Sequence, residues 1–524
     1  MTRDRSDAGA TTRPGPIPLR PPATGRVAVG FVSECVQPLH ARCSIIVVVS
    51  GFSAVRTTGI YCRPGCGGRP KPDNVREYAL AAAAEAAGYR ACLRCRPYRS
   101  DPPFNPDAPE LVCRAVQLVV DGVLDEHTED VLGDRLGVSS RHLRRLFELH
   151  LGVTPDQLAR SRRAHFARRL LDDTDLTFAE IAFASGFGSI RQFNRVCQDI
   201  FRASPRELRA RRRSSDRLVA DGGLALRLPF APPLEWDTML EYFDSRAIPG
   251  VEHVSGGTYR RTVTIDGDPG VIELSCGGED HLVLVAHLPH WEGLIHIVER
   301  ARRIFGLDLD LHRANERLGD DPDIGPLVRK LPGLRTPGTW DPFETAIRAI
   351  CGQMVSVASA STIVRRIVER HGTEVEGLRA LGLSRVFPSP ETLAGGDLDG
   401  LGLTATRIEA VRALSRAVRD GSLHLDRSAS LERFVDAVCS LRGFGPWTAH
   451  YLALRVGEPD AFPASDLGLR RSLEHLLGRD VSERDAESAS DRWRPWRSLA
   501  ATHLWFRLGT PAGAPRLAAV QPPP

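Results

Sequence analysis

Lysine is almost missing from this chain. Of its 69 basic residues only Lys71 and Lys330 are lysines, so nearly all positive charge sits on guanidinium groups, which stay protonated and do not act as amine nucleophiles. The bias runs through every segment, so it does not by itself point to a partner. Long apolar runs are missing too: the run at 45–49 falls far short of the roughly 20 apolar residues that cross a bilayer. The first forty residues carry no basic start followed by an apolar core, so neither a secretory leader nor a membrane partner is expected, and the chain reads as cytoplasmic and reduced. Net charge is only +4, too little to name a polyanionic partner.

Cysteine is present but unevenly placed. Of the 11 cysteines, those at 35, 43, 113, 197, 276, 351 and 439 stand singly and read as packed thiols. The other four form close pairs, Cys62-x3-Cys66 and Cys92-x2-Cys95. Two such pairs can reach one tetrahedral zinc ion, with metal–sulfur distances near 2.3 Å. A metal-held thiolate is also a nucleophile. An ordinary phosphodiester would be repelled by such a site, whereas a methyl phosphotriester has lost its charge and offers a methyl carbon. Spacing alone leaves a structural zinc knuckle and a reactive site both open.

With 524 residues there is room for about three or four domains. Residues 1–30 are rich in Pro, Gly, Arg and Thr and are expected to be disordered. The cysteine module is expected over 31–98, with a helical run at 75–87, and RPYRSDPPFNPDAP reads as a linker. Short amphipathic helices then fill 108–213, and the arginine-rich run beginning at Arg209 reads as the next linker. From 223 to 330 the text alternates, with TYRRTVTI, GVIELSC and HLVLVAHL as strands of a small antiparallel sheet flanked by helices, one of them at 236–243. Apolar residues at three- and four-residue intervals make 331–510 all-helical. The fold class is multidomain α+β.

Two stretches of 108–213 repeat one design. EDVLGDRLGVSSRHLRRLFELHLGVTP and AEIAFASGFGSIRQFNRVCQDIFRASP each carry a helix, a glycine turn (Gly137; Gly186), a capping serine (Ser139 or Ser140; Ser189), a second helix and a proline (Pro155; Pro205). This is a helix-turn-helix twice over. Early positions of each second helix should face bases and phosphates: Arg141, His142, Arg144 and Arg145, then Arg191, Gln192 and Arg195. A helical bundle with solvated arginines is the plainer alternative. A second punctuation falls at 441–451, LRGFGPWTAHY, where Gly443 and Gly445 precede a helix start and would let backbone N–H groups approach a DNA phosphate. Asp466 follows in FPASD, twenty-one residues after Gly445.

Three resemblances attach to these residues. AVRTTGIYCRPGC, RPKPDNV and ACLRCRP, over about residues 54–97, resemble the N-terminal domain of the Ada adaptive-response family. That resemblance implies a Zn2+ site in which Cys62 is the methyl acceptor and Cys66, Cys92 and Cys95 are co-ligands. Upstream, where that family carries a helix and an acidic-aromatic-glycine stretch, this chain reads ARCSIIVVVSGFS. The double helix-turn-helix resembles the AraC class of activators. Residues 224 to about 510 resemble the AlkA-type helix-hairpin-helix glycosylases through VEHVSGGTYRRTV, AIRAICGQMVSV, the hairpin and RWRPWRSLAATHLW.

The last resemblance implies that Asp466 is the catalytic carboxylate, stabilising an oxocarbenium-like sugar. It implies that Trp447, Tyr451 and Trp505 line the pocket for a flipped cationic purine, and that Met354 fills the vacated stack. Ordinary core packing is the alternative for these aromatics. Glycosylase/lyases need a lysine amine near the hairpin, and the second half offers only Lys330, well upstream, so a monofunctional hydrolase is expected. Cys439 is the last cysteine, which leaves no iron–sulfur signature after the hairpin. The Ada family's O6-alkylguanine activity needs Pro-Cys-His-Arg, a tetrapeptide that does not occur here. The expected partners are alkylated and promoter double-stranded DNA, with RNA polymerase as a candidate partner of an activator. Two rival readings remain: a DNA-binding regulator with structural zinc and a non-catalytic second half, and a constitutive glycosylase tethered to DNA by its first half.

Overall fold

Two sheets and three apolar cores organise the described residues. The computed structural model describes residues 51–68, 70–99, 108–213, 216–218, 222–353 and 355–507. The expected disordered segment 1–30, the divergent text up to residue 50, Cys35, Cys43 and Met354 lie outside the described residues.

The first sheet has the order β3-β1-β2-β4. β1 (Phe52–Val55) and β2 (Ile60–Cys62) form a hairpin, whose turn ends at Gly59 with φ +64°, a left-handed conformation that glycine adopts without strain. β3 (Val75–Tyr78) pairs antiparallel with β1, and β4 (Arg90–Ala91) runs parallel to β2. The helix expected at 75–87 is therefore only Ala81–Ala86. Residues 75–78 are captured by the ladder: Ser53 pairs with Glu77, whose carboxylate accepts from the Ser53 hydroxyl at 2.9 Å. Tertiary pairing overrides local helical preference here.

Both helix-turn-helix units form as the capping pattern requires. The first comprises Glu129–Leu136 and Ser140–Leu151, and the second Phe178–Ala184 and Ile190–Phe201. The long helix Pro155–Asp173 joins them and opens with a capping box between Thr154 and Gln157. The second sheet has the order β5-β9-β8-β7-β6, built from β5 (Leu224–Pro229), β6 (Glu252–Ser255), β7 (Thr258–Ile265), β8 (Asp268–Cys276) and β9 (His281–His287). β9 alternates strictly between buried and half-exposed positions, as one face packed on helices demands. Trp236–Asp244 and Leu294–Ile304 contribute to the same core. The rest is helical, including Pro342–Gly352, Leu431–Cys439, Pro446–Arg455, Leu467–Leu477 and Arg497–Arg507. No described helix is long and apolar enough to cross a membrane.

One core is shared by the cysteine module, the second helix-turn-helix unit and the second sheet. The text read as a linker starts as an anchor. Tyr98 is fully buried, donates to Asp172 at 3.0 Å and lies under the Arg168 guanidinium. Arg99 pairs with Asp173 at 2.7 Å and Arg96 with Asp216 at 2.6 Å. The arginine-rich segment after 209 is likewise held, since Arg209 donates to the Leu176 carbonyl and Arg212 to Asp175. Arg162 bridges Asp125, at 3.0 Å, and Glu299, at 3.7 Å, joining the helix-turn-helix region to the helix behind the second sheet. Of the single cysteines, Cys197 and Cys351 are buried, whereas Cys276 is exposed at the end of β8 and is not a packed thiol.

Candidate functional site

The cysteine pairs converge because β2 and β4 run in parallel register. Tyr61 lies opposite Ala91, so the next residues, Cys62 and Cys92, come side by side, and the Cys92 amide donates to the Tyr61 carbonyl at 3.0 Å. Tight turns then return the second member of each pair: Cys66 N–H donates to the Arg63 carbonyl, and Gly65 takes φ +76°. The four Sγ atoms lie within 4.8 Å of one another, each cysteine half-buried. Tetrahedral zinc holds sulfurs about 3.8 Å apart, so this donor set fits the ion with little adjustment. The thiols also titrate against one another. Burial and then the Cys92 and Cys95 sulfurs push Cys62 far above the ordinary thiol range, and burial foremost pushes Cys95 up to about 11. Cys92 falls below its ordinary value despite burial, because the Cys95 and Arg94 backbone N–H groups point at its sulfur. A divalent cation is what lets such a set ionise together.

In the helix-turn-helix units, Ser139 and Ser189 are the caps, accepting from His142 N–H and Gln192 N–H at 3.2 Å each; Ser140 is the first helical residue. Arg141, Arg144, Arg145, Arg191 and Arg195 are exposed, and His142 and Gln192 are half-buried. They are not equivalent. Arg144 is paired with Glu129 at 2.9 Å, Arg145 lies against His142 Nδ1 at 3.2 Å, and Gln192 Oε1 accepts from Gly188 N–H at 3.1 Å. Arg141, Arg191 and Arg195 have no such partner among the described residues.

Asp466 is the N-cap of Leu467–Leu477, and both its oxygens are occupied. Oδ1 accepts from Leu469 N–H and Trp505 Nε1, and Oδ2 from Trp447 Nε1, all at 2.9 Å. Three donors fix the orientation of the carboxylate. Trp447 and Tyr451 are one turn apart on Pro446–Arg455 and stack at 5.4 Å with ring planes 14° apart. Trp505, on Arg497–Arg507, meets Tyr451 edge-on at 6.4 Å. The arrangement is an aromatic cluster with a carboxylate at one end, all four residues half-buried. Sequence reasoning placed these aromatics on the base but missed the two indole N–H donors.

Arg455 was also missed. One turn beyond Tyr451, it is only 4% exposed, and its guanidinium lies 4.8 Å from the Tyr451 ring, 5.5 Å from Trp505 and 5.2 Å from Tyr242. It donates to the Pro337 carbonyl at 2.7 Å and has no carboxylate partner among the described residues. Burial alone would raise the Tyr451 phenol, but Arg455, Arg246 and Arg348 outweigh it and hold the phenol below its ordinary value. The signal available in the sequence was spacing: 447, 451 and 455 share one helix face.

The two hairpin glycines differ. Gly443 has φ +94°, and a Cβ there would meet the Ala410 side chain at 2.8 Å, so both conformation and space require glycine. Gly445 is extended, with φ −117°, and a Cβ would meet nothing within 4 Å. Its open surroundings, not its backbone angles, suit the approach of a phosphate. Gln353, next to Met354, donates to the Gly443 carbonyl at 3.0 Å and to Thr448 at 3.3 Å, tying that loop to the hairpin.

Four family models match successive parts of the chain. The metal binding domain of Ada matches residues 50–98, a helix-turn-helix domain 132–211, the AlkA N-terminal domain 225–341, and the HhH-GPD superfamily base excision DNA repair protein 347–498. A Mycobacterium tuberculosis protein named "Probable bifunctional transcriptional activator/DNA repair enzyme AlkA" is 40% identical over 464 residues, which span 87% of this chain and 93% of that one. DNA-3-methyladenine glycosylase 2 of Escherichia coli is 31% identical over 54% of this chain and 97% of its own length. The Escherichia coli bifunctional transcriptional activator/DNA repair enzyme Ada is 38% identical over 22% of this chain and 32% of its own. The zinc ligand set, the paired helix-turn-helix units and the aromatic cluster with its carboxylate thus occur together in one chain, which belongs to the family of bifunctional transcriptional activator/DNA repair enzymes.

Proposed function

We propose that this protein both senses and repairs alkylated DNA. The observation that carries the repair half is the Asp466 carboxylate, held by two indoles of the aromatic cluster beside it. A flipped alkylpurine stacked among Trp447, Tyr451 and Trp505 presents its glycosidic bond to Asp466. As that bond breaks, the fixed carboxylate stabilises the positive sugar and water completes a monofunctional hydrolysis; the cationic base needs little acid help to leave. Lys330, the only lysine of the second half, lies in Gly325–Lys330 and not in the hairpin. The hairpin at Gly443 and Gly445 holds the phosphate backbone, and Met354 fills the vacated stack.

In the sensing half, Cys62 attacks the methyl carbon of a phosphotriester. The S–CH3 bond forms as the C–O bond breaks, and the phosphate leaves as an ordinary diester anion. Bound zinc keeps the four cysteines ionised and in place. Methylation removes one thiolate charge, lessening repulsion from DNA, so that Arg141, His142, Arg144, Arg145, Arg191, Gln192 and Arg195 engage promoter DNA more tightly and recruit RNA polymerase. We assign these roles to a zinc module at 31–98, a DNA-reading domain at 108–213, a sheet domain at 223–330 and a glycosylase domain at 331–510, acting in the cytoplasm. The test is release of 3-methyladenine from methylated duplex. Asp466→Asn should lower it by about 100-fold or more while leaving DNA binding intact; undiminished release would remove Asp466 from the chemistry.

A further inference from the structure

Gln192 stands in the first turn of Ile190–Phe201, the second helix of the second helix-turn-helix unit, where side chains meet base edges in the major groove. A free glutamine matches adenine, its carbonyl oxygen accepting from N6 and its amino group donating to N7. Here the oxygen is already engaged, since Gln192 Oε1 accepts from Gly188 N–H at 3.1 Å. The orientation is forced: a backbone N–H only donates, and of the two ends of the amide only the oxygen accepts. Gln192 N–H in turn donates to Ser189 Oγ at 3.2 Å, so backbone and side chain together brace the turn that starts the helix. What Gln192 has left to offer DNA is its Nε2 amino group, a donor.

Its neighbours offer the same chemistry. Arg191 precedes it, Arg195 follows one turn after Arg191 on the same face, and both are exposed. The three side chains therefore present donors only. Guanine is the base whose major-groove edge is a pair of acceptors, N7 and O6; adenine and cytosine each show an amino group that would face another donor, and thymine offers O4 alone beside its methyl group. The first unit does not carry this set. At the position matching Gln192 it has His142, whose Nδ1 lies 3.2 Å from the Arg145 guanidinium.

We propose that Gln192 is a specificity-determining residue: with Arg191 and Arg195 it directs the second helix-turn-helix unit to a guanine-bearing half-site, reading guanine through its amino group alone. This rests on the promoter-binding reading above and adds the base that is read. The competing explanation is that Gln192 only braces the turn, a role that would affect all sequences alike.

The experiment takes full-length, zinc-loaded protein after incubation with methylated DNA, selects its preferred sites from random duplexes, and measures affinity for single-base variants of the selected site. Gln192→Glu keeps an oxygen for Gly188 N–H but replaces the donating group with an acceptor. At one base pair its preference should pass from guanine to cytosine, whose N4 amino group donates, while the other positions keep theirs. At that base pair wild-type protein should favour guanine over adenine by about 10-fold. Gln192→Ala, which adds no negative charge, should cut this preference to within about 2-fold. Identical preferences in wild type and both variants would leave Gln192 as a brace of the turn and overturn the proposal. So would adenine in the wild-type site at the position the variants alter. Wild-type protein that selects no sequence at all would overturn the promoter reading itself, and this inference with it.

Discussion

The thiolate cluster and the carboxylate pocket solve opposite electrostatic problems with opposite architectures. In the proposed reading Cys62 presents negative charge to a neutral phosphotriester, and its partners come from two turns and two short strands, β2 and β4. In the proposed reading Asp466 presents negative charge to a developing cation, and its partners are two indole N–H groups and one backbone N–H from three helices whose other faces are buried in one apolar core. The first site owes its ionisation to an ion it binds. The second is oriented by protein donors alone. Carboxylates are charged at neutral pH without help, while crowded thiols are not, and the two designs follow from that difference.

The contrast can be broken most sharply by removing the metal. A strong chelator should abolish methyl acceptance by the cysteine module, because the four sulfurs lose their common counter-charge. Base release should stay within about 2-fold, since no metal ligand touches the pocket. The check is methyl incorporation and 3-methyladenine release from the same sample; parallel loss of both would make zinc a support for the whole fold and not for one site.

Next in size is loss of the indole donors. Trp447→Phe and Trp505→Phe each keep a ring in the pocket but delete one hydrogen bond to Asp466. Each should lower the single-turnover rate by about 10-fold or more, in line with bonds to a charged group, with smaller effects on binding to undamaged DNA. Equal losses in rate and in binding would instead mean that the rings act by packing.

The smallest effect concerns the helix that carries Trp505. His503 on that helix is 2% exposed, neither ring nitrogen has a hydrogen-bond partner among the described residues, and burial lowers its pKa from 6.5 to about 4. The folded state therefore holds the neutral ring, while the unfolded chain takes up a proton below pH 6.5. Its contribution is intact above that value and is lost as pH falls towards 4, on the order of 2 kcal/mol by pH 5. His503→Phe should flatten the dependence of unfolding free energy between pH 7 and pH 5, measured with denaturant; an unchanged slope would place the acid sensitivity elsewhere.

The chemistry was more legible in the sequence than its supports. Cysteine spacing, two capped helix-turn-helix repeats and a glycine hairpin followed by an aspartate are local patterns, and local patterns survive in one dimension. The strands at 258–265, 268–276 and 281–287 likewise followed from alternation. What stayed hidden depends on distant partners. Residues 75–78 look helical until β1 captures them. RPYR looks like a linker until Asp172, Asp173 and Asp216 claim its arginines and tyrosine. Tyr61 donates to Glu85 at 2.6 Å, and Glu85 also holds His165 at 2.6 Å, fastening the cysteine module to Pro155–Asp173. No spacing rule announces a bond across 80 residues.

The most direct test of two separate chemistries in one body is a single incubation with methylated duplex DNA, read by mass spectrometry for methyl-cysteine and for released bases. Wild-type protein should carry one methyl group on Cys62 and release 3-methyladenine. Cys62→Ser, with its fold checked by circular dichroism, should lose only the first signal, and Asp466→Asn only the second. Methylation at another cysteine, or loss of both signals in either variant, would contradict the account.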